Sequence, residues 1–153
     1  MLNIRPAAAH ECEFLSQIAY KSEAYWGYDA EYMEKFRSVY RVTEDSIRQN
    51  RTYVAENHDQ IIGFYALSES EATVELEYFF IEPEYIGQGY GKRLWNHLVQ
   101  KCGEVGIGEF EIVTSPQARE FYVRLGATVV GEVESYLKKG RMIPKLIYYV
   151  CSG

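Results

Sequence analysis

A chain of 153 residues, 47% hydrophobic and 25% charged, has the size and make-up of one soluble globular domain spanning 1–153, with core enough to need no covalent staples. Sixteen Lys and Arg against 22 Asp and Glu leave a net charge of −6, which repels phosphate backbones and argues against nucleic acid as the main partner, while mildly favouring a cationic one. The apolar runs are only a few residues long, far below the roughly 20 that span a bilayer, so no membrane partner is expected.

Residues 2–4 read as a short strand stopped by Pro6. Over residues 8–24, Ala8, Cys12, Leu15, Ile18, Ala19 and Ser22 trace one helical face. The cluster Tyr25-Trp26-Gly27-Tyr28 breaks that helix, a second covers residues 30–39, and Thr43 caps a third short one. Strands are predicted at residues 52–56 and 61–67, joined by the polar turn 57–60, and at 73–82, closed by Pro83. Leu94, Trp95, Leu98, Val99 and Cys102 give a helix over 89–102 a core-facing stripe. A strand at 109–114, a helix at 117–125 ending on Gly126, and strands at 127–133 and 145–151 complete the chain. The order predicts an α/β (α+β) fold: a mixed, mostly antiparallel sheet of about seven strands flanked by helices, with a βαβ unit inside it. The aromatic-rich final strand offers an edge for pairing in a homodimer.

Cys12, Cys102 and Cys151 are odd in number, far apart and without a CxxC, which suits a reducing cytoplasm and points away from a disulfide framework or a zinc site. Residues 1–6 lack the apolar core of a signal peptide. His10, His58 and His97 share no ligand spacing, so no metal is expected.

The most informative segment is Gly87-Gln88-Gly89-Tyr90-Gly91-Lys92, between a strand end and a helix start. Glycines there allow positive φ and close approach of the backbone, and the unpaired N–H groups of a helix start attract a phosphate or pyrophosphate. A dinucleotide GxGxxG would need glycine at position 92 or 94, where Lys92 and Leu94 stand. A Walker GxxxxGK[ST] would need glycine at 86 and Ser or Thr at 93, where Ile86 and Arg93 stand. A glycine-rich connection without a ligand is the remaining structural alternative.

The stretch from Leu76 to Lys92 resembles the acetyl-CoA signature of the GNAT N-acetyltransferases, usually [QR]-x-x-G-x-[GA]. Ser115-Pro-Gln-Ala118-Arg-Glu-Phe121-Tyr122-Val-Arg-Leu125-Gly126 resembles the family's N-x-x-A-x-x-F-Y-x-x-x-G-F. The predicted order of elements follows the family nearly end to end. Three positions depart from it: Ile86 replaces Gln or Arg, Ser115 replaces Asn and Ala127 replaces Phe.

The resemblance implies splayed central strands, one carrying a bulge, with acetyl-CoA as co-substrate and its pantetheine lying between them as an extra strand. It implies backbone contacts to pantetheine from Phe79, Phe80 and Ile81, a polar contact near it from Ser115, and a pyrophosphate held by Gly87, Gln88, Gly89, Tyr90, Gly91 and Lys92. An N–H near Ile81 would stabilise the thioester oxyanion. Glu75, fourteen residues before Gly89, matches the catalytic Glu of several members, with Glu77 beside it on the same face of a regular strand. Glu111 and Glu109 on the next strand are the alternatives. Tyr122 matches the family's general-acid tyrosine, and Trp26, Tyr28 and Arg141 fall in segments that wall the acceptor pocket. The implied reaction moves acetyl to a primary amine of a small molecule or peptide by direct transfer in a ternary complex. A binding protein that holds acyl-CoA without turnover is the alternative from another class.

Overall fold

Seven extended segments with alternating apolar positions join into one sheet of order β1-β2-β3-β4-β5-β7-β6 in the computed structural model, which describes residues 2–150. The strands are β1 (Leu2–Pro6), β2 (Arg51–Asn57), β3 (Gln60–Glu69), β4 (Val74–Ile81), β5 (Glu109–Val113), β6 (Thr128–Glu134) and β7 (Met142–Tyr149). Every neighbouring pair is antiparallel except β4 and β5. That parallel pair needs a crossover, which α4 (Tyr90–Val105) supplies.

Alternation sends side chains to two cores, one on each face of the sheet. Val54, Phe64 and Tyr78 pack against α1 (Cys12–Ala24), α2 (Ala30–Val39) and α3 (Glu44–Gln49). Ala55, Tyr65 and Leu76 pack against α4 and α5 (Arg119–Arg124). Within α4, Leu94, Trp95, Leu98 and Cys102 are all buried, as their spacing predicts. The helix stops at Gly106, whose φ of 82° is cheap only for glycine. Thr43 accepts from the N–H of Ser46 at 3.0 Å and so starts α3.

Several boundaries differ from expectation. β1 runs two residues beyond Ile4 and ends on Pro6 opposite Tyr53, which an edge strand tolerates because no ladder bond is lost there. Residues 9–11 form a 3-10 turn, and α1 begins only at Cys12. The Glu11 carboxylate accepts from the Ala8 N–H at 2.8 Å and from Arg5, which tightens that first turn. β7 begins at Met142 and runs through Pro144; of the expected strand 145–151, Cys151 lies outside the described residues. β7 is also internal, between β5 and β6, so it has no free edge with which to pair a second copy; the open edges are β1 and β6.

Gly63 on β3 faces Ile81 on β4, and a Cβ there would come within 2.6 Å of the Phe80 carbonyl oxygen. Backbone cannot swing aside as a side-chain tip can. Gly63→Ala is therefore expected to cost roughly 1–3 kcal/mol by overpacking, read as a fall in Tm of roughly 2–12 °C. An unchanged Tm in thermal unfolding would contradict the close packing of these two strands.

Candidate active site

One extra residue in β4 shapes the centre of the sheet. Ala66 pairs with Tyr78 and Leu67 with Leu76, which leaves Glu77 unpaired in a bulge. The phase of the strand switches there. Val74 and Leu76 face the α4 core, Tyr78 and Phe80 face the α1–α3 core, and Phe79 and Ile81 return to the first. A bulge re-aims side chains and bends its strand. Pairing of β4 with β5 covers only Glu75–Glu111 and Leu76–Ile112. Past that point the two strands part around a cavity of about 540 Å³.

Phe79, Phe80 and Ile81 wall the cavity on the β4 side, and Ile112, Thr114 and Ser115 on the β5 side. The Glu82 N–H bonds the Ile62 carbonyl at 2.7 Å, toward β3. By strand alternation the N–H groups of Ile81 and Phe79 therefore point into the opening. The Ile81 carbonyl is taken by the Ser22 hydroxyl at 2.9 Å, so Ile81 offers the opening its donor.

The glycine turn closes one end of the cavity. Gly87 and Gly89 hold φ of 85° and 84°, and no heavy atom lies within 4 Å of a Cβ placed on either. Gly89 is the N-cap of α4, and the first helical bond is the Arg93 N–H to its carbonyl at 3.3 Å. The N–H groups of Tyr90, Gly91 and Lys92 precede it, unpaired within the helix and at its positive end. Gly87, Gly89, Gly91 and Lys92 line the cavity. Such a cradle, open where side chains would stand, fits the pyrophosphate of a CoA molecule. The side chains of Gln88 and Tyr90 are otherwise engaged: Gln88 Nε2 donates to the Glu84 carbonyl at 3.1 Å, and the Tyr90 hydroxyl accepts from Asn57 at 3.4 Å. Neither residue lines the cavity.

Glu77 lines the cavity, half-buried, and accepts from Asn50 at 3.4 Å. Burial, reinforced by the charge of Glu75, holds its carboxyl above the usual carboxylate range. Glu75 is exposed and outside the cavity, beside Glu111, which pairs with Lys145 at 2.6 Å. Glu109, at the start of β5, is also outside it. The reason is the bulge: the regular strand assumed from residue spacing does not exist at position 77.

Tyr122, on α5, lines the opposite wall among the rings of Phe79, Trp95 and Phe121. Burial pushes its phenol well above the ordinary value, so it stays protonated throughout the working pH range. Trp26 and Arg141 also line the cavity. Tyr28 stands behind them, accepting from Arg141 Nη2 at 2.9 Å and donating to Gln117 Oε1 at 3.1 Å. Its ring stacks on Tyr32 at 4.0 Å. Sequence reasoning missed Glu23, which lines the cavity and accepts from the Tyr32 hydroxyl at 2.7 Å. The only trace it left is its place one residue after buried Ser22, on the flank of the apolar stripe.

A sheet opened between two parallel strands, with helices on both faces, defines the GNAT fold. The Acetyltransferase (GNAT) domain family matches residues 17–142. The 5-NmdU N-acetyltransferase of Pseudomonas phage PaMx11 is 30% identical over 135 residues, covering 86% of this chain and 91% of that protein. Among solved structures, the PaiA N-acetyltransferase of Thermoplasma acidophilum in complex with coenzyme A superposes with a TM-score of 0.82 at 21% identity, covering 97% of this chain and 99% of that one. The N-acetylglutamate synthase of Neisseria gonorrhoeae, complexed with coenzyme A and N-acetyl-glutamate, gives 0.72 at 18% identity over 99% of this chain and 35% of its own. The chain belongs to the GNAT family and is an acetyltransferase of that type. No helix among the described residues is long and apolar enough to cross a membrane.

Proposed function

We propose that this acetyltransferase moves acetyl from acetyl-CoA to a primary amine by direct attack, both substrates being bound together. The observation that carries this reading is the shared cavity, with Glu77 on one wall, Tyr122 on another and the Gly87–Lys92 turn at the end. Acetyl-CoA supplies an activated acetyl thioester. The glycine turn holds its pyrophosphate, Phe79 and Ile81 bond its pantetheine as a strand would, and Ile81 N–H polarises the thioester carbonyl. Ser115, also on the wall, contributes a hydroxyl to the pantetheine side.

An alkyl amine with a pKa near ~10.4 arrives as ammonium and cannot attack. Glu77 removes that proton. Its raised pKa makes it a better base than a surface carboxylate once it is ionised. Tyr122 returns a proton to the departing sulfur. A phenol near ~10 and a thiol near ~8.5 make that transfer about 2 kcal/mol uphill, and burial adds to the climb, so it occurs late, once charge has built on sulfur. Tyr122→Phe is expected to lower kcat by roughly 10²-fold with acetyl-CoA affinity unchanged, checked by steady-state rates beside direct binding. A kcat equal to wild type would remove Tyr122 from the mechanism.

The acceptor lies on the side of Trp26, Tyr28 and Arg141, where Arg141 can grip a carboxylate or another anionic group. The test is free-thiol release from acetyl-CoA with a panel of primary amines, 5-NmdU included because the phage relative is named for it. Amine-dependent thiol release with acetylated product supports the reading. Acetyl-CoA binding without turnover of any amine favours the non-catalytic alternative.

A further inference from the structure

Two oppositely charged side chains face the cavity close together without pairing. Glu23 sits in the last turn of α1, and Arg141 in the segment just before β7. Tyr32 connects them. Its hydroxyl holds Glu23 Oε2 at 2.7 Å, and its ring lies 5.6 Å from the Arg141 Cζ. Tyr28 fixes Arg141 from its other side, by the 2.9 Å hydrogen bond and with its ring centroid 5.0 Å from Cζ. Neither Glu23 nor Arg141 forms an ion pair among the described residues. They are near enough for Arg141 to lower the proton affinity of Glu23 against the effect of burial. Each is instead held by a tyrosine, Glu23 by Tyr32 and Arg141 by Tyr28, and both line the cavity.

We propose that Glu23 and Arg141 form a subsite for the zwitterionic head of an α-amino acid, ammonium on Glu23 and carboxylate on Arg141, which presents a distal primary amine of the same molecule to Glu77. This rests on the transferase reading above and names its acceptor class. Glu77 belongs to the β4 bulge and Glu23 to α1, with Tyr40 on the wall in the field of both. Phe36, Tyr40 and Phe80 give that stretch an apolar lining suited to a methylene chain. Charges match as well: with both carboxyls ionised, Glu23, Arg141 and Glu77 carry one net negative charge, and a diamino acid of the lysine type carries one net positive charge. In the reaction a C–N bond forms at the distal nitrogen and the acetyl C–S bond breaks. The distal ammonium gives up two protons, one accounted for in the CoA thiol and one passing through Glu77 to solvent.

The experiment compares L-lysine with cadaverine, which lacks the carboxylate, and with 6-aminohexanoate, which lacks the α-ammonium. Lysine is expected to be acetylated at its distal nitrogen, with kcat/KM about tenfold or more above either analogue, since each loses a charge-assisted contact. Glu23→Gln is expected to erase the advantage over 6-aminohexanoate and Arg141→Ala the advantage over cadaverine, both through KM. Acetyl-CoA affinity and Tm of the variants show whether they fold. Equal rates on the three acceptors, acetylation at the α-nitrogen, or rejection of lysine while other amines turn over would each overturn the subsite and leave the transferase reading standing. Turnover of no amine at all would sink both.

Discussion

Glu77→Gln is expected to lower kcat/KM for the amine by roughly 10²–10⁴-fold, the range that a positioned general base contributes, with acetyl-CoA affinity unchanged. The amide keeps the shape of the side chain and its contact with Asn50 but cannot take a proton. The pH dependence supplies a second readout. Because burial and Glu75 raise the Glu77 pKa, wild-type activity should rise as pH climbs through that raised value and the carboxyl ionises. The variant lacks this limb and depends on amine that is already neutral. Its deficit should therefore be widest just above the raised Glu77 value and shrink toward the amine pKa near ~10.4. Glu75→Gln makes the contrast. Glu75 is exposed and outside the cavity, so its removal should leave the rate nearly intact and move the acidic limb slightly lower, since one charge that raises Glu77 is gone. The opposite ranking of the two variants in steady-state assays would put the base at Glu75.

The second large effect is expected at Gly89. Valine there must adopt φ near 84° or unwind the turn. The left-handed region costs an ordinary L-residue roughly 1–2 kcal/mol, and a β-branched one more. A turn relaxed to avoid that cost no longer aims the N–H groups of Tyr90, Gly91 and Lys92 at one point. Each hydrogen bond to a charged phosphate is worth about 1.5–3 kcal/mol, so losing two predicts a rise in acetyl-CoA Kd of roughly 10²-fold or more. Gly103 is the control: it lies within α4, away from the cavity, with room for a methyl group. Gly103→Ala should leave Kd unchanged and stabilise the helix by up to about 1 kcal/mol. Titration calorimetry on both variants separates the two outcomes, and equal affinities would mean that the turn does not carry the cofactor.

Most of the fold was legible because periodicity and punctuation agree in it. Leu94, Trp95, Leu98 and Cys102 announce α4, Gly126 follows the end of α5 at positive φ, and Thr43 caps α3, while the last turn of α4, up to Gly106, went unread. Boundaries slipped by a few residues at the strands that contain proline. β1 runs on to Pro6 as its last residue, and β7 starts at Met142 and takes in Pro144. The position of β7 between β5 and β6 is a long-range choice that no local pattern encodes. In the site, the glycine turn could be read because its conformation depends on a local residue type. The bulge could not: Val-Glu-Leu-Glu-Tyr-Phe alternates as a regular strand would until the mismatch with β3 leaves Glu77 unpaired. That one residue decides which glutamate reaches the cavity. The Gln88 side chain bonds the Glu84 carbonyl in the loop and the Tyr90 hydroxyl bonds Asn57 of β2, and Glu23 gained its place only when α1 packed beside Arg141.

The central claim is that acetyl-CoA occupies the opening between β4 and β5, and thermal unfolding with added acetyl-CoA tests it most directly, with NAD and ATP as controls. At about 100 times Kd a ligand adds roughly 2.7 kcal/mol, which for a chain of this length means a Tm rise of roughly 5–11 °C. The account predicts that rise with acetyl-CoA and not with NAD or ATP, and its loss in Gly89→Val. No rise at any acetyl-CoA concentration would contradict it.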